Sequence, residues 1–327
     1  YHVDVGDVDA VNGPDVLFGG EPGSRLYLNQ GNGWFGLSNV GFNTVSNGDF
    51  DAQFVDTDGD GDLDIVLLHI ANYGTPPLRD AIYVNQGAGG FTKVDLPANG
   101  NVHDHKMAWA DFRRSGRNDI AVNVDTLNYT PKSLNFIWRN NGGNSFVVDR
   151  TDSDFAAMEG DMFGLAAGDA NGDGWPDLFV PNLTCGRTAR NLLRNAQNST
   201  TPDFTAVAGA FGSNTDGLGR QDATTSVEVV DIDGDGDLDV LWVVIGYCAT
   251  QSGSWTLSPR AQRLFVNDGT GVFVEAAVSM PKTGGGADVT FDALGAGFGD
   301  VDGDGSPDMA IGSYTQGNRL YIQTTAP

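Results

Sequence analysis

Aspartates stand at alternate positions of Asp231-Ile232-Asp233-Gly234-Asp235-Gly236-Asp237-Leu238-Asp239, with glycines at the fourth and sixth places. Carboxylate oxygens at places 1, 3, 5 and 9 form a ring of hard donors, and glycine lets the backbone turn sharply between them. That donor set is what Ca²⁺ asks of a short loop. It recurs at Asp56, Asp58, Asp60, Asp62 and Asp64, at Asp169, Asn171, Asp173, Trp175 and Asp177, and at Asp300, Asp302, Asp304, Ser306 and Asp308. The seventh place varies among these four loops (Asp62, Trp175, Asp237, Ser306) and is expected to contribute to the metal set with the others.

Two further stretches are altered. Asp7 to Asp15 carries Val11 at the fifth place, and this loop is expected to be weak or empty. Asp111 to Asp119 carries Arg113 at the third place and Ser115 at the fifth. It is expected to be empty, with Arg113 or Arg114 neutralising Asp111 and Asp119 in place of an ion. The loops begin like an EF-hand loop, but no glutamate stands at place 12. In the fifth loop the apolar run Val240-Leu241-Trp242-Val243-Val244-Ile245 follows at once, so the reading is strand, loop, strand. The six copies start at residues 7, 56, 111, 169, 231 and 300, a spacing that marks a repeat architecture.

Each copy sits in the same order of elements. A short strand enters the loop, as at Ala52-Gln53-Phe54-Val55, and a second leaves it, as at Ile65-Val66-Leu67-Leu68. A third ends in Asn, as in Leu26-Tyr27-Leu28-Asn29 and Leu264-Phe265-Val266-Asn267. A Gly/Asn turn then leads to a fourth strand at Trp34-Phe35, Phe91, Phe146, Phe204 or Phe273, the chemistry that hairpins need. No ten-residue segment shows a helical period. Four antiparallel strands per repeat predict an all-β, six-bladed β-propeller occupying 1–327 as a single domain. The expected blades run roughly 1–35, 50–93, 105–148, 163–207, 225–275 and 293–327, the last without its fourth strand.

The chain has 327 residues, 43 of them acidic and 18 basic, for a formal charge of −25. That balance argues against a nucleic-acid partner, whose phosphates need a basic face, and against an anionic membrane surface. No apolar run is long enough to cross a bilayer as a helix. No leader segment is visible, and the chain is expected to be a mature or excised piece of a secreted or cell-surface protein. Open acidic loops suit millimolar extracellular calcium.

The D-x-D-G-D-G-x-x-D loop and the L-Y-x-N-x-G-x-G-x-F hairpin resemble FG-GAP/VCBS repeats, the units of the integrin alpha-subunit propeller and of many secreted proteins. The resemblance implies about four Ca²⁺ sites, on one rim between first and second strands, acting mainly as structural clips. It also implies a binding module. A glycan is the leading partner, as in FG-GAP-like mushroom lectins, and an extracellular protein is the alternative, as in integrin heads.

Long polar connections at the far ends of the blades are where a ligand is expected. They carry Tyr73, Tyr129, Tyr247, Trp255 and Tyr314, with Arg79, Arg187, Arg220 and Arg260. Aromatic faces beside fixed hydrogen-bonding groups suit sugar rings, although such rings also pack loop bases. His69, His103 and His105 with Asp104 could meet there, bind a transition metal or serve as a general base in a lyase or dehydratase. No nucleophile motif or separated carboxylate pair supports catalysis. Cys185 and Cys248 occupy equivalent places after the second strands of neighbouring blades; they are either a disulfide or two free thiols, and an oxidising compartment favours the bond.

Overall fold

The computed structural model describes residues 2–20, 23–42, 49–69, 79–87, 90–100, 103–125, 134–160, 162–188, 190–212, 220–248, 255–258, 261–276, 290, 292–315 and 317–323. The chain is an all-β, six-bladed β-propeller built from antiparallel sheets. It divides into two compact units, Tyr1–Asp152 with Ser199–Pro202, and Ser153–Asn198 with Asp203–Pro327.

The first unit holds three four-stranded sheets, each in sequence order. They are β1 to β4 (His2–Gly6, Asp15–Gly19, Arg25–Asn29, Phe35–Leu37), β5 to β8 (Asp49–Val55, Asp64–His69, Ala81–Asn85, Phe91–Asp95) and β9 to β12 (Asp104–Ala110, Asp119–Val124, Phe136–Asn140, Phe146–Asp149). The second unit opens with the short helix α1 (Ser153–Ala156) and the sheet β13 to β16 (Ala166–Gly168, Asp177–Pro181, Arg190–Asn195, Phe204–Ala206). Next come β17 to β21 (Gln221–Val230, Asp239–Cys248, Trp255–Leu257, Arg263–Asn267, Phe273–Glu275), and last β22 to β24 (Ala293–Gly299, Asp308–Ser313, Arg319–Tyr321). The last sheet has three strands among the described residues.

The second strand of an inner blade reads as an unbroken apolar run because both its faces are covered. In β6, Ile65 and Leu67 pack with Leu17, Leu26 and Phe54 on the side of the first sheet. Val66 and Leu68 pack with Met107, Ile120 and Trp138 on the side of the third. In β18, Val240 and Trp242 join Phe179, Leu192 and Phe265, whereas Leu241 and Val243 join Ile311. The period of two thus sorts each side chain to one neighbouring sheet. Each fully buried aliphatic side chain of this kind stabilises by about 1.5–3 kcal/mol. Sheets approach closely enough that Gly19 has no room for a side chain: a Cβ there would lie 2.9 Å from Ala52 Cβ and 3.0 Å from Ala52 N.

Two features depart from the sequence reading. The connection after β18 contains a strand: β19 pairs with β18, matching Trp255 to Cys248 and Leu257 to Gly246, so β18 is lengthened to ten residues. The segment between β12 and β13 contains α1, only four residues long and thus below any detectable helical period. Cys185 and Cys248 form a disulfide with Cα atoms 5.5 Å apart across 63 residues of sequence. Closing a loop of that length stabilises by about 4 kcal/mol in the chain-entropy account.

Candidate metal centres and ligand-binding connections

Each acidic loop connects the first strand of a blade to the second, and in the five loops after the first the opening aspartate organises the turn. Asp231 Oδ1 accepts from Gly234 N at 2.7 Å and its Oδ2 from Gly236 N at 3.0 Å. Asp56 does the same with Gly59 and Gly61, and Asp300 with Gly303 and Gly305. Gly234 and Gly236 take φ of 77° and 95°, a left-handed backbone that a side chain would strain. The fifth-place carboxylate accepts from the seventh-place N–H, as Asp60 does from Asp62, Asp173 from Trp175, Asp235 from Asp237 and Asp304 from Ser306.

The third place is different. Asp58 Oδ1, Asn171 Oδ1 and Asp233 Oδ1 are each buried with no hydrogen-bond partner. One orphaned oxygen at the same place in three separate loops is costly unless something answers it, and a cation would. Carboxylate oxygens converge to within 4.8 Å in Asp56/Asp58/Asp64, in Asp231/Asp233/Asp239 and in Asp300/Asp302/Asp304. Asp7, Asp9 and Asp15 converge equally, although Val11 has replaced the fifth ligand. Burial together with repulsion from Asp235 and Asp231 pushes the Asp233 carboxyl up. The donor types, spacing and orphaned oxygens fit Ca²⁺.

The ninth aspartate has a structural role that the spacing alone does not reveal. Its side chain is buried in every copy, from Asp15 to Asp308. One oxygen of Asp64 accepts from Thr57 N at 2.9 Å and the other from Asn85 N at 2.8 Å. Asp15, Asp177, Asp239 and Asp308 repeat this pair of contacts, to the second loop residue and to the residue closing the third strand. Burial raises Asp177 to about 6 and pushes Asp64 and Asp239 up, whereas the N–H groups of Val301 and Gln323 hold Asp308 down.

The residue closing the third strand reaches back to the preceding blade. Asn85 Nδ2 donates to Val8 O at 2.7 Å, Asn140 Nδ2 to Thr57 O at 2.7 Å, and Asn267 Nδ2 to Ala170 O at 2.8 Å. In each case the acceptor is the second residue of the previous acidic loop.

In the loop at 111–119, Arg113 donates to both oxygens of Asp119, at 2.9 and 2.8 Å, and to Asn140 O at 2.7 Å. Arg113 is 8% exposed, so a tethered guanidinium lies over the ninth carboxylate. Asp111 is held by the N–H groups of Ser115 and Gly116 instead.

Of the expected ligand aromatics, Tyr73 and Tyr129 lie outside the described residues, as does Arg260, and Trp255 is described only as backbone in β19. Tyr314 is 65% exposed, and Tyr247 lies under the Arg220 guanidinium at 4.4 Å. His69, His103 and His105 form no metal-type group: among the described residues, none of the converging sets includes a histidine. His69 and His105 are buried, with the His105 ring stacked on Phe50 at 4.7 Å and 5.9 Å from the ring of His103. Asn99 Nδ2 bridges Asp80 and Asp104 there, and burial reinforced by Asp104 holds Asp80 well above the usual carboxylate range.

The aspartates at the starts of the first strands have separate duties. Asp222 is buried between Arg190, at 2.9 Å, and Arg263, at 3.2 Å. Asp292 caps the turn at Ser313 and Thr315. Among the described residues no helix is long and apolar enough to cross a membrane.

Nothing among protein-family models or curated protein sequences matches the chain. Among solved structures, it is similar to a lectin from Agrocybe aegerita that specifically recognises non-reducing terminal N-acetylglucosamine, with 20% identity over 94% of this chain and 73% of that one and a TM-score of 0.58. A protein of Bifidobacterium bifidum s17 assigned as an exo-beta-1,3-galactanase aligns at 12% identity over 78% of this chain and 90% of its own, with a TM-score of 0.39. A thermostable family-43 glycoside hydrolase aligns at 11% identity over 86% of this chain and 96% of its own, with a TM-score of 0.41. The first of these likenesses supports the six-bladed fold.

Proposed function

We propose that the chain is a calcium-clipped, extracellular carbohydrate-binding module of the FG-GAP/VCBS type. The observation that carries the calcium reading is the partnerless third-place oxygen of Asp58, Asn171 and Asp233 in three loops. The residues at places 1, 3, 5, 7 and 9 of those loops, and of the loop at 300–308, would hold the ion. When bound, it would neutralise crowded carboxylates and tie the two strands of a hairpin together. At extracellular-module affinities, millimolar calcium stabilises each occupied site by about 0.4–1.5 kcal/mol. Arg113 makes the loop at 111–119 independent of it.

The carbohydrate reading is supported by the shared fold of a lectin over 94% of the chain and by polar connections on a rigid scaffold. A disulfide fits an oxidising, extracellular setting. A second reading, docking to an extracellular protein, is favoured by apolar exposure in the first blade: Trp34 is 75% exposed, Leu37 63% and Val5 60%.

Two experiments test the proposal. Metal analysis of the dialysed protein should find bound calcium, removable by chelator; a metal-free protein unmoved by calcium would end that reading. A glycan array probed with and without chelator should show retention on a restricted set of sugars. Retention on none, together with capture of a defined surface protein lost in Trp34→Ala, would favour the second reading.

A further inference from the structure

Resting on the carbohydrate reading, we propose that a cleft in the fourth blade binds a single neutral pyranose, a hexose or N-acetylhexosamine end group. The cleft, open to solvent, has a volume of about 300 Å³ between the residues that follow α1 and the 182–188 connection with Asn191 of β15. That volume lies at the lower end for ligand pockets and suits one ring better than an extended chain.

The connection forming one wall is held from several sides. Cys185 is bonded to Cys248, and the Gln221 side chain bridges Gly186 N, at 3.0 Å, and Arg187 O. Asn182 Oδ1 accepts from Thr184 N at 2.9 Å while its Nδ2 donates to Glu159 O at 3.0 Å, joining the two walls. Asn191 Nδ2 ties Val180 O and Thr188 O, each at 2.9 Å. A wall so held loses little conformational freedom when a ligand arrives. The same bonds bury Asn182 to 3% exposure, so its Asn-Leu-Thr sequon is not an open glycosylation site in the folded chain.

The chemistry of the cleft is that of a sugar edge. Glu159 and Arg187 are ion-paired at its mouth, with side chains 31% and 46% exposed. Adjacent ring hydroxyls can donate to the carboxylate and accept from the guanidinium, inserting into the pair without removing either charge. The lining sets two carboxylates, Glu159 and Asp154, against the single guanidinium of Arg187, and this net negative charge disfavours an acidic sugar and selects for a neutral one. Met158 and Leu193 supply an apolar surface for ring C–H groups or an acetamido methyl.

The test uses the full chain against immobilised oligosaccharides ending in neutral hexoses or N-acetylhexosamines, with uronate-terminated ones alongside. Wild type should be retained on neutral ends only. Arg187→Ala, which removes a donor, and Ala157→Trp, which fills the mouth, should each weaken retention about tenfold or more while melting is unchanged. Unaltered retention in both variants would overturn the cleft and leave the carbohydrate reading standing. Preference for uronate ends would overturn the neutral-ligand assignment. Retention of wild type on no sugar at all would overturn the carbohydrate reading and the cleft with it.

Discussion

The loops at 56–64 and 111–119 sit in neighbouring blades of one unit and face the same electrostatic problem in different ways. Both bury a ninth carboxylate against backbone donors, and in both one oxygen meets the N–H of the residue that closes the third strand. In the first loop the remaining negative charge is left to Asp56, Asp58, Asp60 and Asp62, and Asp58 Oδ1 has no partner. In the second, Arg113 brings a covalently attached cation to Asp119. The difference teaches that the repeat has two separable parts. The ninth aspartate belongs to the fold and persists in all six copies, whereas the intervening places, which on our proposal would hold the ion, can be given over to an arginine.

The largest expected effect comes from the tethered cation. Asp119→Ala leaves Arg113 buried without its carboxylate and should destabilise by about 3–5 kcal/mol in urea unfolding, equally with calcium or chelator. If added calcium restored the variant, the two loops would not differ as argued.

A second test carries the contrast to Asp51, another buried carboxylate with its own cations. Burial pushes it up, but Lys106, at 2.8 Å, and His2, at 2.9 Å, outweigh this and hold it well below the usual range. The unfolded chain therefore takes up the proton first. The contribution is whole above the unfolded value near 3.8 and is lost as pH falls through the folded one. One such carboxylate is worth about 2–3 kcal/mol. Stability measured from pH 5 downward should fall less in Lys106→Met than in wild type, from a lower starting value; an unchanged slope would remove Asp51 from the account.

Chelation should cost each occupied loop about 0.4–1.5 kcal/mol, read as a calcium-dependent melting shift. The smallest effect is expected from Asp233→Ala, which removes the third-place oxygen where an asparagine, as at Asn171, would keep it: one fewer calcium bound, with melting in chelator unchanged or slightly raised because a repelling charge is gone. Full calcium stoichiometry in that variant would take the third-place oxygen out of the site.

Much of this was readable from residue types. The alternating aspartates located the loops, the apolar run after each located the second strand, and Arg113 at a ligand place announced a substitute for the ion. What escaped has a common physical reason. An aspartate that ligates and one that caps backbone donors look alike in a sequence, and the donors that distinguish them lie 14 to 28 residues away. Asn85, Asn140 and Asn267, each closing a third strand, read as turn chemistry, because the acceptor that distinguishes them belongs to another blade. The sequence grouped His103 with His105, and their rings lie 5.9 Å apart, but the ring stacked on His105 is Phe50 of the blade before. Glu159 had no local signal at all, since the cleft it lines exists only once α1 and the 182–191 connection are packed.

The backward-reaching asparagines have a consequence for how such a chain could gain or lose a repeat. In three blades the donor closing the third strand reaches the preceding blade, and the carbonyl it meets stands at the same loop place each time. Excising the second copy cleanly at its strand boundaries would bring Asn140 to the Val8 carbonyl that Asn85 uses, because the donor and acceptor stand at the same places in both copies. Excising from mid-blade would not. The join is therefore modular, and it lets an array grow or shrink by whole repeats without redesigning its neighbours.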